Sequence, residues 1–239
     1  MLANYPVTSA QFGSLSREVQ KPASFRYELL DFISNELPRW RDRPDRPAVT
    51  GETALTSLLC AHLNSTSRHS DGWDILQFRV EEQDDRRKDR KVDLAPAPSG
   101  CTISIEGRIH TEFNLLMPIE CKRLPIPNGK NRDEREYVIS RYSSTGGIQR
   151  FKEGHHGANH TLGAVIAYVQ EETRMFWHAQ IADWINDLIS IGQAGWTLRD
   201  QLGLIQDDHG LKLAILRSSH ARQSGLPEIE LRHLWISMN

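Results

Sequence analysis

Very little in this chain is extreme, and each missing extreme removes a class of protein. Among 239 residues there are only three cysteines, Cys60, Cys101 and Cys121. They are far apart, odd in number and at no metal-ligand spacing, which argues against a disulfide framework and points to a reducing, cytoplasmic setting. No apolar run reaches the roughly 18 residues that a membrane span requires. The first residues lack the basic-then-apolar pattern of a secretory leader, so none is expected. Charge of one sign is missing too: 29 Lys and Arg stand against 31 Asp and Glu, for a net charge of -2. Any surface for a polyanion must therefore be local, built by clustering basic residues in the fold. Internal repeats and low-complexity tracts are absent as well.

What is present is patterning for a single globular unit. Residues 1–22 are polar and weakly patterned, which predicts a loose N-terminal arm. Residues 23–239 are expected to form one domain, since the chain is long enough for one full core and two very small domains are the less favoured division. Residues 24–37 place Phe25, Leu29, Leu30, Phe32, Ile33 and Leu37 at helical spacing behind a capping Ser24, and Pro38 to Pro47 break that pattern. A second helix over 50–64 carries the stripe Leu55, Leu58, Leu59 and Leu63, with Thr50 as its N-cap. Residues 75–81 and 92–95 alternate as strands, 101–109 suggest a strand or hairpin, and 117–124 form a strand bounded by prolines. Residues 125–144 are polar, with an Asn128-Gly129 turn signal, and predict a flexible loop. A helix begins near Gly146, the almost wholly apolar 162–169 suits a central strand buried on both faces, and 177–190 form an amphipathic helix. Two last strands, 211–217 and 228–236, follow. The fold class is mixed α/β, a sheet with helices on both faces and a C-terminal α/β extension.

The chemistry concentrates at Ile119-Glu120-Cys121-Lys122-Arg123. Alternate strand side chains share a face, so Glu120 and Lys122 project together, roughly 7 Å apart along the chain, while Ile119 and Cys121 point into packing. Buried charges are costly unless paired or metal-bound. A second carboxylate, Asp93, sits in the short apolar strand Val92-Asp93-Leu94. Two carboxylates and a lysine are what phosphodiester hydrolysis needs: hard oxygen ligands for Mg²⁺, and a Lys122 that can orient the attacking water, deprotonate it if the site lowers the lysine's own proton affinity, or contact the phosphate.

Asp93 followed by Glu120-x-Lys122 resembles the active-site signature of the PD-(D/E)XK, restriction-endonuclease-like nucleases. The helix, strand, strand, strand, helix, strand order over about residues 50–169 resembles their core. The resemblance implies Asp93, Glu120 and Lys122 as the catalytic set, and Mg²⁺ (with Mn²⁺ able to substitute) held by Asp93, Glu120, the Cys121 carbonyl and Glu52 at the start of the first core helix. Val92 stands where those nucleases often carry proline, and the 27-residue interval from Asp93 to Glu120 implies an inserted hairpin or loop at 96–117. The implied activity is a metal-dependent endonuclease acting on DNA, in defence against foreign DNA or in DNA processing, with a homodimer or a partner protein. The alternatives are a structure-specific or RNA-directed nuclease and a non-cleaving subunit that keeps the fold.

Several further residues carry weaker expectations. Gln149 and Arg150, on the helix after the catalytic strand, are placed for substrate or for support of the site, with Lys152 beside them. Lys130, Arg132, Arg135 and Arg141 are candidate phosphate contacts on a mobile loop. His155, His156 and His160 are expected in surface or turn roles. Ser219 to Arg222 form a loop that could meet substrate or a partner. The tryptophans at 177, 184 and 196 are expected in the core or at an interface.

Overall fold

A computed structural model describes residues 18–84, 90–127, 129, 132–140, 146–223 and 225–239. Its elements run β1 (Glu18–Lys21), α1 (Phe25–Arg41), α2 (Glu52–Ser67), β2 (Leu76–Gln83), β3 (Lys91–Pro98), β4 (Thr102–Ile105) and β5 (Arg108–His110). Then come β6 (Ile119–Leu124), α3 (Gly147–Lys152), β7 (Leu162–Val169), α4 (Arg174–Ser190), a 3₁₀ turn (Leu198–Asp200), β8 (Gly203–Asp208), β9 (Leu213–His220) and β10 (Ile229–Ser237). The class is mixed α/β, as the patterning implies.

A seven-stranded sheet in the order β2-β3-β6-β7-β10-β9-β8 is the centre of the molecule. All eight residues of β7 are buried, because parallel neighbours flank it, β6 on one side and β10 on the other, and helices cover both faces. On one face, Cys121, Ile166, Tyr168 and Ile236 pack against Leu29, Ile33 and Leu37 of α1 and Leu55, Leu59 and Leu63 of α2. On the other, Leu124, Val165, Ala167 and Trp235 pack against Ile148 and Phe151 of α3 and Trp177, Ile181 and Ile185 of α4. Trp177, Trp184 and Trp196 all belong to this second core. No helix of the described residues is long and apolar enough to cross a membrane.

Several boundaries differ from expectation for identifiable reasons. Pro38 does not end α1; the helix resumes its bonding when Asp42 N–H donates to the Pro38 carbonyl at 3.0 Å. The buried Trp40 packs on Tyr168 with ring centroids 5.7 Å apart and holds that last turn down. Gly51, and not Thr50, is the N-cap of α2. Residues 18–21, expected in a loose arm, form β1 and pair in parallel with β4. The insertion implied between Asp93 and Glu120 is the β4–β5 hairpin, which with β1 makes a separate three-stranded sheet.

The larger correction concerns the C-terminus. It is not an extension beside the core: β10 runs parallel to β7 within the central sheet, and β9 and β8 continue that sheet antiparallel to its edge. Burying a large residue at the centre of β7 has a measurable consequence. Ile166→Ala is expected to lower the unfolding free energy by about 2–5 kcal/mol, as cavities in tight cores do. Ile109→Ala, at a side chain 63% exposed, should stay within about 0.5 kcal/mol. Urea denaturation of both variants checks the contrast.

Candidate active site

The site arises where two strands part. Among the described residues β3 and β6 register at one pair, Leu94 with Ile119. Beyond that pair the register between the two strands ends. Instead Cys121 N–H donates to Asp93 Oδ2 at 2.8 Å, and Arg123 N–H, two residues on and along the same edge, donates to Glu52 Oε2 at 3.0 Å. Side-chain carboxylates thus stand in for the carbonyls of a neighbouring strand. A main-chain N–H left unpaired inside protein is costly, so this substitution holds both acids at the opening. Asp93 comes from β3 and Glu52 from the first turn of α2, and both remain partly exposed to the cleft, at 31% and 21% of their side chains.

Glu120 and Lys122 share a face of β6, as their spacing requires, and both are buried. The Lys122 ammonium lies 2.8 Å from Glu120 Oε1, 3.5 Å from Glu52 Oε1 and 4.0 Å from Asp93 Oδ2. Three predicted carboxylates therefore converge on one predicted cation. Burial alone would lower the proton affinity of Lys122, but Glu120, Glu52 and Asp93 together outweigh it and push its pKa up. Against these three carboxylates alone, Lys122 is therefore held as an ammonium. Asp93 is pushed up to about 7 by burial and then by the nearby charge of Glu120, against the opposing pull of Lys122.

Glu120 itself is fully buried. Burial would raise its pKa, yet Lys122, His156 and Arg150 overcome that and hold it well below the usual carboxylate range. Arg150 Nη1 donates to Oε1 at 2.6 Å. His156 Nδ1 lies 3.2 Å from Oε2, without the alignment of a good hydrogen bond. Of the surface or turn roles expected for His155, His156 and His160, the turn is what the structure gives: all three follow α3 in the bends and turns before β7, but His156 and His160 are about 1% exposed and so not on the surface. Their glycine-rich surroundings read as a solvated turn, whereas Gly157 lets the chain turn back under β6, with φ at +64° and a Cβ position 2.7 Å from the Pro118 ring.

The short helix α3 is positioned by the segment that precedes it. Its first N–H groups, those of Gly147, Ile148 and Gln149, donate to the carbonyls of Glu136, Tyr137 and Val138. Such close approach requires glycine: a Cβ at Gly146 would stand 2.4 Å from Ile139 Cα, and one at Gly147 would stand 2.8 Å from the Tyr137 carbonyl oxygen. Residues 132–140 are thereby packed rather than loose, with Asp133, Glu136 and Tyr137 buried.

The remaining candidates divide. Gln149 braces this loop, accepting from Ser140 N–H at 3.2 Å and donating to Glu153 at 2.8 Å, and does not reach the carboxylates. Arg132 pairs with Glu136 and Arg135 with Asp187, while Lys130 and Arg141 lie outside the described residues. The Cys121 thiol is buried on the far face and held well above its usual pKa by burial, so only its carbonyl is suited to a hard cation. Of the stretch 219–222, expected as a loop, Ser219 and the buried His220 instead close β9, while Arg222 beyond the strand donates to the carbonyls of Gly157 and His160 and so secures the turn that carries His156.

The donor chemistry fits Mg²⁺: hard carboxylate oxygens from three elements, an Asp93 whose ionisation is opposed by crowded negative charge, and a buried Glu120 Oε2 without an aligned donor. Among the described residues no three His, Cys, Asp or Glu side chains are gathered as ligands of one ion; the Lys122 ammonium lies within 4.0 Å of all three carboxylates. The chain matches no protein-family model, no curated protein and no solved structure.

Removing a partner from a buried ion pair leaves an uncompensated charge. Lys122→Met is therefore expected to lower stability by about 3 kcal/mol, the lower end for such deletions because Arg150 and His156 still face Glu120. Thermal or urea unfolding of the variant measures this, and a stability equal to wild type would contradict the charge balance described.

Proposed function

We propose that this chain is a metal-dependent endonuclease of the PD-(D/E)XK type that hydrolyses phosphodiester bonds of DNA, its sheet being a restriction-endonuclease-like core continued by the C-terminal strands. The observation that carries the reading is the convergence of Asp93, Glu52, Glu120 and Lys122, from three separate elements, at the opening between β3 and β6. The order α2, β2, β3, β6, α3, β7, with a hairpin inserted before β6, supports it in turn.

In this reading Asp93 and Glu52, with the Cys121 carbonyl and Glu120 Oε2, would hold Mg²⁺, which supplies Lewis acidity toward the phosphate and a bound water of lowered pKa. The chain's own groups do the rest. Lys122, on the same strand face as Glu120, orients or deprotonates the water, or steadies charge developing on the phosphate. Arg150 and His156 balance Glu120 so that it stays ionised although sealed from solvent. The partial exposure of Asp93 and Glu52 gives a phosphate its path of approach.

A second reading has a specific observation behind it. Glu120 Oε1 is already engaged by both Lys122 and Arg150, which also suits a non-cleaving subunit that keeps the cluster for stability. One assay separates the two. Purified protein is expected to nick supercoiled plasmid with Mg²⁺ or Mn²⁺ and to stop on addition of EDTA; Asp93→Asn and Glu120→Gln should abolish nicking while remaining folded by circular dichroism. Metal-independent nicking, or full activity in both variants, overturns the assignment, and no cleavage of DNA with cleavage of RNA redirects it to an RNA substrate.

A further inference from the structure

A second polar cluster lies on the α3–α4 side of the sheet, and the catalytic reading does not use it. Trp235 Nε1–H donates to the Tyr137 hydroxyl at 2.8 Å. That hydroxyl meets His233 Nδ1 at 2.7 Å, His233 Nε2 meets Ser218 Oγ at 2.8 Å, and Ser218 Oγ meets His220 Nε2 at 2.6 Å. His220 Nδ1 lies 2.5 Å from Asp200 Oδ1, which also accepts from Lys152 Nζ. All the side chains in this run are buried.

Only one arrangement of protons satisfies every member. Asp200 is an acceptor, held below its usual pKa because His220 and Lys152 outweigh the effect of burial; Thr197 N–H takes its other oxygen at 2.7 Å. His220 must then carry its proton on Nδ1, which leaves Nε2 to accept from Ser218. Ser218 must accept from His233 Nε2–H, which leaves His233 Nδ1 to accept from Tyr137, whose oxygen receives the indole proton. Each link dictates the next.

The ends of this chain are both attached to α3. Lys152 is the last residue of the helix, and Tyr137 accepts at its main-chain carbonyl from Ile148 N–H in the first turn. Between those two attachments sits Arg150, the donor to Glu120. We propose that Tyr137, His233, Ser218, His220 and Asp200 are positioning residues: their proton-ordered chain clamps α3 at both ends and so fixes Arg150 against the Glu120 carboxylate. The kinetic consequence rests on the nuclease reading; the proton order and the clamp do not.

A proton added to either histidine breaks the order. Cationic His220 would turn a second donor toward Ser218, and cationic His233 a second donor toward Tyr137, each leaving a buried hydroxyl proton with no acceptor. Burial lowers the pKa of both rings. For His220, Asp200 and Glu228 oppose that and Lys152 adds to it; for His233 the proximity of His220 adds to it. From α4, His178 lies over Trp235 with ring centroids 6.5 Å apart and bonds the Leu202 carbonyl. Because both folded-state values lie below the unfolded 6.5, the unfolded chain takes up these protons first. The stability that the neutral rings contribute is full above that value and is lost as pH falls below it toward the folded-state values.

The test uses the full chain labelled with ¹⁵N. Long-range ¹H–¹⁵N spectra of the wild type at pH 7.5 should show His220 protonated at Nδ1 and His233 at Nε2, each as a single tautomer. Tyr137→Phe should shift the Trp235 indole resonance and the Arg150 guanidinium resonances, raise the Mg²⁺ requirement for plasmid nicking, and lower kcat by about 10–100-fold with KM little changed, as loss of a supporting contact does. Ser218→Ala breaks the chain at its middle and replaces Tyr137→Phe should that variant not fold. Mixed tautomers in the wild type overturn the proton order, and unmoved Arg150 resonances in a folded variant overturn the clamp. A wild type that cleaves no nucleic acid sinks the nuclease reading and leaves the spectroscopic result to decide the clamp alone.

Discussion

A carboxylate sealed from water inside a sheet has to be neutralised, and the neutralisation of Glu120 is the constraint on which the rest of the site depends. A lone buried anion would cost far more than the few kcal/mol by which a domain is stable, or would take up a proton. Here three cationic or proton-donating groups come to it: Lys122 from its own strand, Arg150 from α3 and His156 from the turn after it. Each must be held in turn. Lys122 is drawn toward Asp93 and Glu52, Arg150 is fixed by the seat of α3 on residues 136–138, and His156 is carried by a turn secured through Arg222.

That hierarchy explains which parts were legible in the sequence. The pairing of Glu120 with Lys122 is a local consequence of the two-residue strand period, so Ile119 to Arg123 display it without any fold. The apolar run 162–169 is equally plain, because a strand buried on both faces needs no alternation. Asp93 could be singled out as a charge in an apolar strand, though nothing local shows that its oxygen takes the place of a strand carbonyl opposite Cys121. His156 was illegible for a different reason. Its immediate neighbours are glycines and another histidine, the composition of an exposed turn, and its burial is imposed by β6 and Phe151, which lie elsewhere in the chain or a turn away.

The same distinction between local and distant determinants separates the strands at the two ends. Residues 229–237 alternate well enough to be read as a strand, yet a strand pattern does not name its neighbour. That β10 sits parallel to β7 follows from the two apolar faces it shares with that strand: Leu234 and Ile236 toward α1 and α2, Leu231 and Trp235 toward α3 and α4. At the N-terminus, Glu18 to Lys21 carry too little apolar content to be recognised, and become a strand only because β4 offers an unpaired edge. In α1, Pro38 is a genuine break in the local hydrogen-bond pattern, and tertiary burial of Trp40 overrides it.

Placing β10 inside the sheet also changes what the C-terminal third contributes. A separate extension could be trimmed with little effect on a site made by β3, β6, α2 and α3. Here β9 and β10 carry Ser218, His220, His233 and Trp235, while the turn before β8 carries Asp200, and together these meet the buried end of Lys152 and the hydroxyl of Tyr137. Two polar networks therefore approach α3 from different directions. One consists of opposite charges and binds Arg150 to Glu120; the other is a string of hydrogen bonds whose one buried ion pair, Lys152 with Asp200, closes its end. A six-residue helix has too few internal bonds to hold its own orientation, so the precision of Arg150 has to come from outside the helix. The sheet's C-terminal half supplies it, which makes the acidic cleft and the last strands parts of one structural unit.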